Sequence, residues 1–188
     1  MKKIYKSIIL FLAILLPVCI FTFLKIFGNN QFNIPLYYQT QEELINAPCE
    51  EVTAPYLFDF NAIDNSNRID SSKLILDDLI TIIAYIPVID DNYMLHMLSV
   101  NERIGNVFQM VVFTNTFKNN LSNYENFNFL KLNDNIKAFW NCSLLSNEYD
   151  NWVLLDSENR IRGYYEISDK EIDRLIVEIK ILSENENK

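Results

Sequence analysis

Trp152-Val153-Leu154-Leu155-Asp156, the polar turn Ser157-Glu158-Asn159, Ile161-Arg162-Gly163-Tyr164-Tyr165 and a helix opening at Ser168 follow one another without a gap. Two short apolar runs around a polar turn predict a β-hairpin. Ser168 and Glu171 have capping-box spacing. Ile172, Leu175, Ile176 and Ile179 then recur at i, i+3, i+4 and i+7, so one face of this helix must pack on the sheet that holds the hairpin.

Upstream, residues 79–88 form a nearly unbroken apolar run rich in Ile, the pattern of a central strand buried on both faces. Asp90-Asp91-Asn92 follow, and Leu95, Leu98, Ile104 and Val107 suggest a helix leading to a second buried run at 108–113. That order predicts a right-handed βαβ unit. A further strand is expected at 127–132, and a short helix capped by Asp134 and carrying Ile136, Phe139 and Trp140. Residues 56–63 alternate well enough for a strand, turned back by Asp64-Asn65-Ser66-Asn67 toward Ile69. Strands and helices in this order give an α/β sandwich.

The N-terminus carries Lys2, Lys3 and Lys6, then an uncharged stretch at 7–24, then Lys25. Its length approaches the ~20 apolar residues of a spanning helix. A cleaved signal would end in small residues, whereas this stretch ends in Phe21, Phe23, Leu24 and Phe27; a lipoprotein reading at Cys19 meets Val18 where a small residue belongs. Three lysines before the span and one after it orient the N-terminus to the cytoplasm and the remainder outward, on the periplasmic side in a Gram-negative cell. The expected organisation is therefore a membrane anchor at 1–28, a tether at 29–55 marked by Pro35, Pro48 and Pro55, and one domain at 56–188.

Charge narrows the partners. Setting aside those four lysines leaves 12 of the 16 basic residues against all 25 acidic ones, a net −13 for residues 29–188. Nucleic acid is excluded as a partner, because binding it requires neutralising phosphates. A protein partner and, through the anchor, the membrane remain.

Two segments carry a family resemblance. Phe32-Asn33-Ile34-Pro35-Leu36-Tyr37-Tyr38 resembles the stretch after the anchor in bacterial Sco-like proteins, and Arg160-Ile161-Arg162-Gly163-Tyr164-Tyr165 with Glu171-Ile172-Asp173-Arg174-Leu175-Ile176 resembles their C-terminus. The resemblance is to the Sco/SenC family, membrane-tethered thioredoxin-fold proteins that deliver copper to cytochrome oxidase. It implies a thioredoxin-like sandwich behind a single transmembrane helix. It also implies a copper site made of two cysteines with three residues between them, after a buried strand, and a distant histidine. Soft sulfur suits Cu(I), and imidazole accepts either oxidation state.

Those ligands are missing. The corresponding stretch, Ala84-Tyr85-Ile86-Pro87-Val88-Ile89-Asp90-Asp91-Asn92-Tyr93, has no cysteine, and Asn147-Glu148-Tyr149-Asp150-Asn151 has no histidine. Val88, Ile89, Asp90, Asp91 and Asn92 therefore mark a vacant family site. Met94, His96 and Met97 offer thioethers and an imidazole for Cu(I), but on a helix the methionines share a face that His96 does not. Asp90 and Asp91 offer carboxylates at the end of a central strand, or are accounted for by a helix capped at Asp91 or Asn92. Cys49 and Cys142, the two thiols outside the anchor, form either a disulfide or two free cysteines.

Three readings follow: a non-catalytic, membrane-anchored Sco-like module with a protein partner, acting as an accessory in respiratory oxidase assembly; a copper chaperone with a non-standard site; and a thiol-disulfide oxidoreductase using Cys49 and Cys142. The first is expected, without a catalytic residue, cofactor or resident metal.

Overall fold

The computed structural model describes residues 2–27, 33–49, 52–63, 78–115, 125–131 and 136–186. They divide into two compact units, Met1–Asn33 and Ile34–Lys188. The first contains α1 (Lys2–Phe27), 26 residues with Pro17 inside. Of its side chains, those of residues 5, 6 and 11–23 are described; the apolar ones among them, such as Phe11, Ile14, Val18 and Phe21, are exposed. Among the described residues, no helix is long and apolar enough to cross a membrane.

The second unit is built on one five-stranded sheet: β1 (Ile80–Tyr85), β2 (Phe108–Thr114), β3 (Phe127–Lys131), β4 (Trp152–Leu155) and β5 (Ile161–Tyr165), in the order β3-β2-β1-β4-β5. β1, β2 and β3 run parallel; β4 lies antiparallel on the other side of β1, and β5 antiparallel on β4. A parallel βαβ unit continued by an antiparallel hairpin and a last helix is a thioredoxin-like sheet. The expected central strand, second buried run, third strand and closing hairpin all occupy their places.

Both faces of the sheet are covered, which is why β1 and β2 read as unbroken apolar runs. On one face α2 (Asp91–Ile104) and α4 (Asp169–Glu186) cover Ile82, Ala84, Met110, Trp152 and Leu154. On the other, α3 (Ile136–Ser143) and residues 44–49 and 52–63 cover Ile83, Val111, Phe113, Val153 and Leu155. Ile172, Leu175, Ile176 and Ile179 are all buried. Burying each contributes roughly 1.5–3 kcal/mol, against about 1 kcal/mol for an N-cap, so packing rather than capping holds α4. The cap is half a capping box: Glu171 N–H donates to Ser168 Oγ at 3.4 Å, while the Glu171 carboxylate turns to Arg174 at 2.7 Å.

β5 is fitted to α4 by close approach. A Cβ on Gly163 would lie 2.6 Å from the Tyr165 hydroxyl oxygen, so only glycine allows that ring to lie flat there. Tyr165 then donates to the Glu178 carboxylate, and the Arg174 guanidinium sits 4.5 Å from its ring centre.

Three expectations are corrected. Residues 56–63 are not a strand: a 3-10 turn occupies Phe60–Ala62, and the Asp59 side chain caps it by accepting from Asn61 N–H at 2.9 Å. Residues 64–67 and 69, expected to turn that strand back, lie outside the described residues, as does Asp134. The buried face of α2 is His96, Met97 and Val100; Leu95 is 66% exposed and Val107 lies beyond Gly105, where the helix has ended. A three-residue offset fits two faces of one helix, and contact with α4 selects between them. Residues 34–49, expected as tether, pack in the second unit, with Ile34 and Leu44 buried and Tyr37 N–H bonded to the Ile161 carbonyl at 3.1 Å.

The hairpin turn depends on Asp156, which is buried. Its Oδ1 accepts from Glu158 and Arg160 N–H, and its Oδ2 lies 2.8 Å from Arg160 Nε and 3.3 Å from Arg162 Nε. Removing one partner of a buried ion pair strands the others. We expect Asp156→Ala to lose about 3 kcal/mol of unfolding free energy in urea denaturation, with an unchanged m-value.

Candidate functional site

Open α/β sheets bind ligands beyond the carboxyl ends of their parallel strands, where neighbouring strands diverge to opposite sides. Here that point is the end of β1, between β2 and β4. The chain leaves β1 bonded to β2: Ile86 N–H donates to the Phe113 carbonyl at 2.9 Å, and Asn115 N–H to the Pro87 carbonyl at 3.1 Å. Val88 is 60% exposed and Ile89 is buried. Asp90 begins α2, its Oδ1 accepting from Tyr93 N–H at 2.9 Å. The vacant stretch is thus a hydrophobic plug and a helix cap, held by the backbone of two strands.

Burial raises the Tyr93 phenol above its ordinary value, and the carboxylates of Asp150 and Asp90 push it further. Asp150, in the loop before β4, is thus within electrostatic reach of Tyr93 on α2. Within that loop, Trp140 Nε1 donates to the Glu148 carbonyl at 3.1 Å, and Asn151 Nδ2 to the Glu148 carboxylate at 2.6 Å. What stands at this end of the sheet is the Tyr93 phenol on the first turn of α2, with the Asp90 cap and the exposed Val88 just before it. It can donate a hydrogen bond and attract a basic group; it offers no thiolate or imidazole.

The remaining metal candidates diverge. Met97 is fully buried in the core beneath α2, and Met94 packs partly against that core. His96 is buried at the α2–α4 contact, its Nδ1 3.9 Å from Asp169 Oδ1. Among the described residues, no three His, Cys, Asp or Glu side chains are grouped to hold a metal ion. The two-thiolate, one-imidazole copper site of the resembled family does not fit this chain.

Cys49 and Cys142 are joined in a disulfide across 93 residues. Cys49 packs against the core on the α3 face of the sheet, while Cys142 is exposed. Around the bond, three tyrosines reach consecutive carbonyls at the end of α3, beginning with that of its last residue. Tyr56 donates to Ser143 at 2.8 Å, Tyr164 to Leu144 at 2.7 Å and Tyr38 to Leu145 at 3.0 Å. A helix end leaves such carbonyls without partners, and Leu145, at φ 50°, turns the chain out of the helix. The only sequence signal for this clasp is the concentration of tyrosine in residues 37–56 and 164–165. Nothing in its spacing names the carbonyls.

No family model matches the chain, and no curated protein matches it. Solved structures do. The chain is similar to Sco-family structures. One is BsSco, a member of the Sco family of cytochrome c oxidase assembly proteins, at 15% identity over 57% of this chain and 81% of that one, with a TM-score of 0.46. Another is a SCO1/SenC family lipoprotein from Bacillus anthracis, at 14% identity over 57% and 83%, with a TM-score of 0.45. The thioredoxin domain of a thiol-disulfide oxidoreductase from Bacteroides vulgatus matches at 10% identity over 55% and 81%, with a TM-score of 0.40.

Two outcomes test the clasp. In the chain-entropy model a cross-link over 93 residues contributes about 4–5 kcal/mol. Cys49→Ser/Cys142→Ser, or the native chain with reductant, should lose stability of that order in denaturant titrations. Tyr56 is pushed up to about 12, by burial and then by Asp59, and burial also raises Tyr164 and Tyr165. Because the folded values lie above the unfolded one near 10, this stability is full below pH 10 and is lost as pH rises toward 12. Absorbance at tyrosinate wavelengths should show late-titrating phenols, with cooperative unfolding in that window.

Proposed function

We propose that this chain is a membrane-anchored module of thioredoxin-like fold, held outside the cytoplasm, that works by binding another protein rather than by thiol or copper chemistry, as an accessory in cytochrome oxidase assembly. The observation that carries the binding part is the end of β1, closed by Pro87, Val88, Ile89 and the Asp90 cap; that this stretch replaces the family's cysteines rests on the sequence resemblance. An exposed valine just before the Asp90 cap and Tyr93, with Asp150 in electrostatic reach of that phenol, suits a contact with a basic, partly apolar surface. Support for the anchor comes from the 26-residue helix α1, with an uncharged stretch at 7–24 and exposed apolar side chains. The disulfide favours an oxidising compartment. The oxidase setting rests on the sequence resemblance.

A second reading, thiol-disulfide exchange, is favoured by one observation, the exposure of Cys142 in the disulfide. Complementation separates the two. In a strain lacking the protein we expect terminal oxidase activity to fall and to be restored by the native chain and by Cys49→Ser/Cys142→Ser, but not by Val88→Glu, with the protein resisting carbonate extraction from membranes. Restoration by Val88→Glu and not by a folded double cysteine variant would instead establish exchange chemistry. Unchanged oxidase activity on deletion would remove the protein from oxidase assembly.

A further inference from the structure

Leu36, Tyr37 and Leu57 lie at the surface, with 41%, 37% and 53% of their area exposed. Backbone bonds gather the stretches that carry them at the start of β5. Tyr37 N–H donates to the Ile161 carbonyl at 3.1 Å, Tyr56 N–H to the Tyr38 carbonyl at 3.0 Å and Phe58 N–H to the Asn159 carbonyl at 2.8 Å. The residues next to them are held inward, Tyr38 and Tyr56 by their hydroxyl bonds to the Leu145 and Ser143 carbonyls and Phe58 by burial. The Tyr37 ring stands edge-on to Tyr164, 5.7 Å between centres, so it is packed in place while still reaching solvent.

This patch carries no charge. Residues 33–41 and 52–58 hold no Asp, Glu, Lys or Arg, although 12 basic and 25 acidic residues fall within 29–188. A surface kept only for solubility mixes charges among its apolar residues. Exposed leucines with a tyrosine and no ionic group suit the interface of a bilayer, where the amphipathic tyrosine ring is enriched. Glu42, Glu43 and Asp59 stand at the ends of the two uncharged runs, which favours a zwitterionic surface over an anionic one.

Chain length brings such a surface within reach. α1 ends at Phe27 and the second unit begins at Ile34, so residues 28–33 alone join them. Fully extended, the steps from 27 to 34 span at most about 25 Å. Leu36 and Tyr37 follow directly. If α1 is seated in a bilayer, this patch stays within a few nanometres of the headgroups in any conformation of the joint. A contact too weak to hold a free domain then suffices, because a short tether makes it intramolecular.

We propose that Leu36, Tyr37 and Leu57 form a docking face for a zwitterionic membrane surface, so that the domain rests on the bilayer instead of swinging on its tether. This inference rests on the anchoring role proposed for α1 and adds the face on which the domain lies. The test is methyl NMR of the full chain, leucine-labelled, in phosphatidylcholine nanodiscs in which part of the lipid carries a nitroxide on its headgroup. Leu95, exposed on α2 over the other face of the sheet, is the internal reference. Paramagnetic relaxation at Leu36 and Leu57 is expected to exceed that at Leu95 several-fold. In Leu36→Glu/Leu57→Glu, its fold checked by thermal melting, the relaxation of the remaining methyls on this side should fall to the Leu95 level. The native-chain comparison decides the matter even where that variant fails to fold. Equal relaxation at all three leucines, or shielding of Leu36 and Leu57 by a second copy or another protein, would overturn the docking face and leave the anchor standing. A chain that does not elute with the nanodiscs would overturn both.

Discussion

Everything in the second unit hangs on β1, a strand buried on both faces between a parallel neighbour and an antiparallel one. Its alternate residues feed two cores: Ile80, Ile82 and Ala84 meet α2 and α4, while Ile83 meets α3 and the segment that precedes the sheet. Burial on both sides excludes polar side chains except where they can pair. Chemistry is therefore pushed to the strand's two ends. The carboxyl end runs into Pro87, buried Ile89 and the Asp90 cap; the amino end carries Thr81, paired with Gln109.

On the α3 face, residues 38–49 and 52–56 are fastened to the end of α3 by two unlike means. The Cys49–Cys142 bond restricts the unfolded chain, which is where a long cross-link acts. The Tyr38, Tyr56 and Tyr164 hydroxyls act in the folded state, giving partners to carbonyls that a helix end leaves unsatisfied. A disulfide embedded in this way is first a structural fastener, and the exposure of Cys142 alone gives it chemical reach.

The sequence was most legible where one local pattern matched one burial environment. The continuous run at 79–88 could only be a doubly buried strand, and Ile172, Leu175, Ile176 and Ile179 could only face a sheet. It was less legible where two environments fit the same letters. Leu95 and Met97 both belong to plausible faces of α2, and only contact with α4 buries Met97 and leaves Leu95 in solvent. Residues 56–63 alternate like a strand, yet Asp59 can cap its own backbone, and a 3-10 turn results. For the candidate site, the missing cysteines and histidine were plain from composition. The approach of Asp150 to Tyr93, the tyrosine clasp and the Thr81–Gln109 pair depend on the register between strands, which no local spacing encodes.

The central claim is that the end of β1 is closed by a hydrophobic plug and a helix cap, so that the two-thiolate, one-imidazole copper site of the resembled family does not fit there. A Cu(I) competition titration of the full chain in nanodiscs, with ascorbate as reductant so that the disulfide stays intact, tests it most directly. The account expects the protein to withdraw no Cu(I) from even a weak chelator, in the native chain and in His96→Ala alike. Tight one-to-one binding that disappears in His96→Ala or in Cys49→Ser/Cys142→Ser would contradict it, and would show a metal site assembled from residues that this structure holds apart.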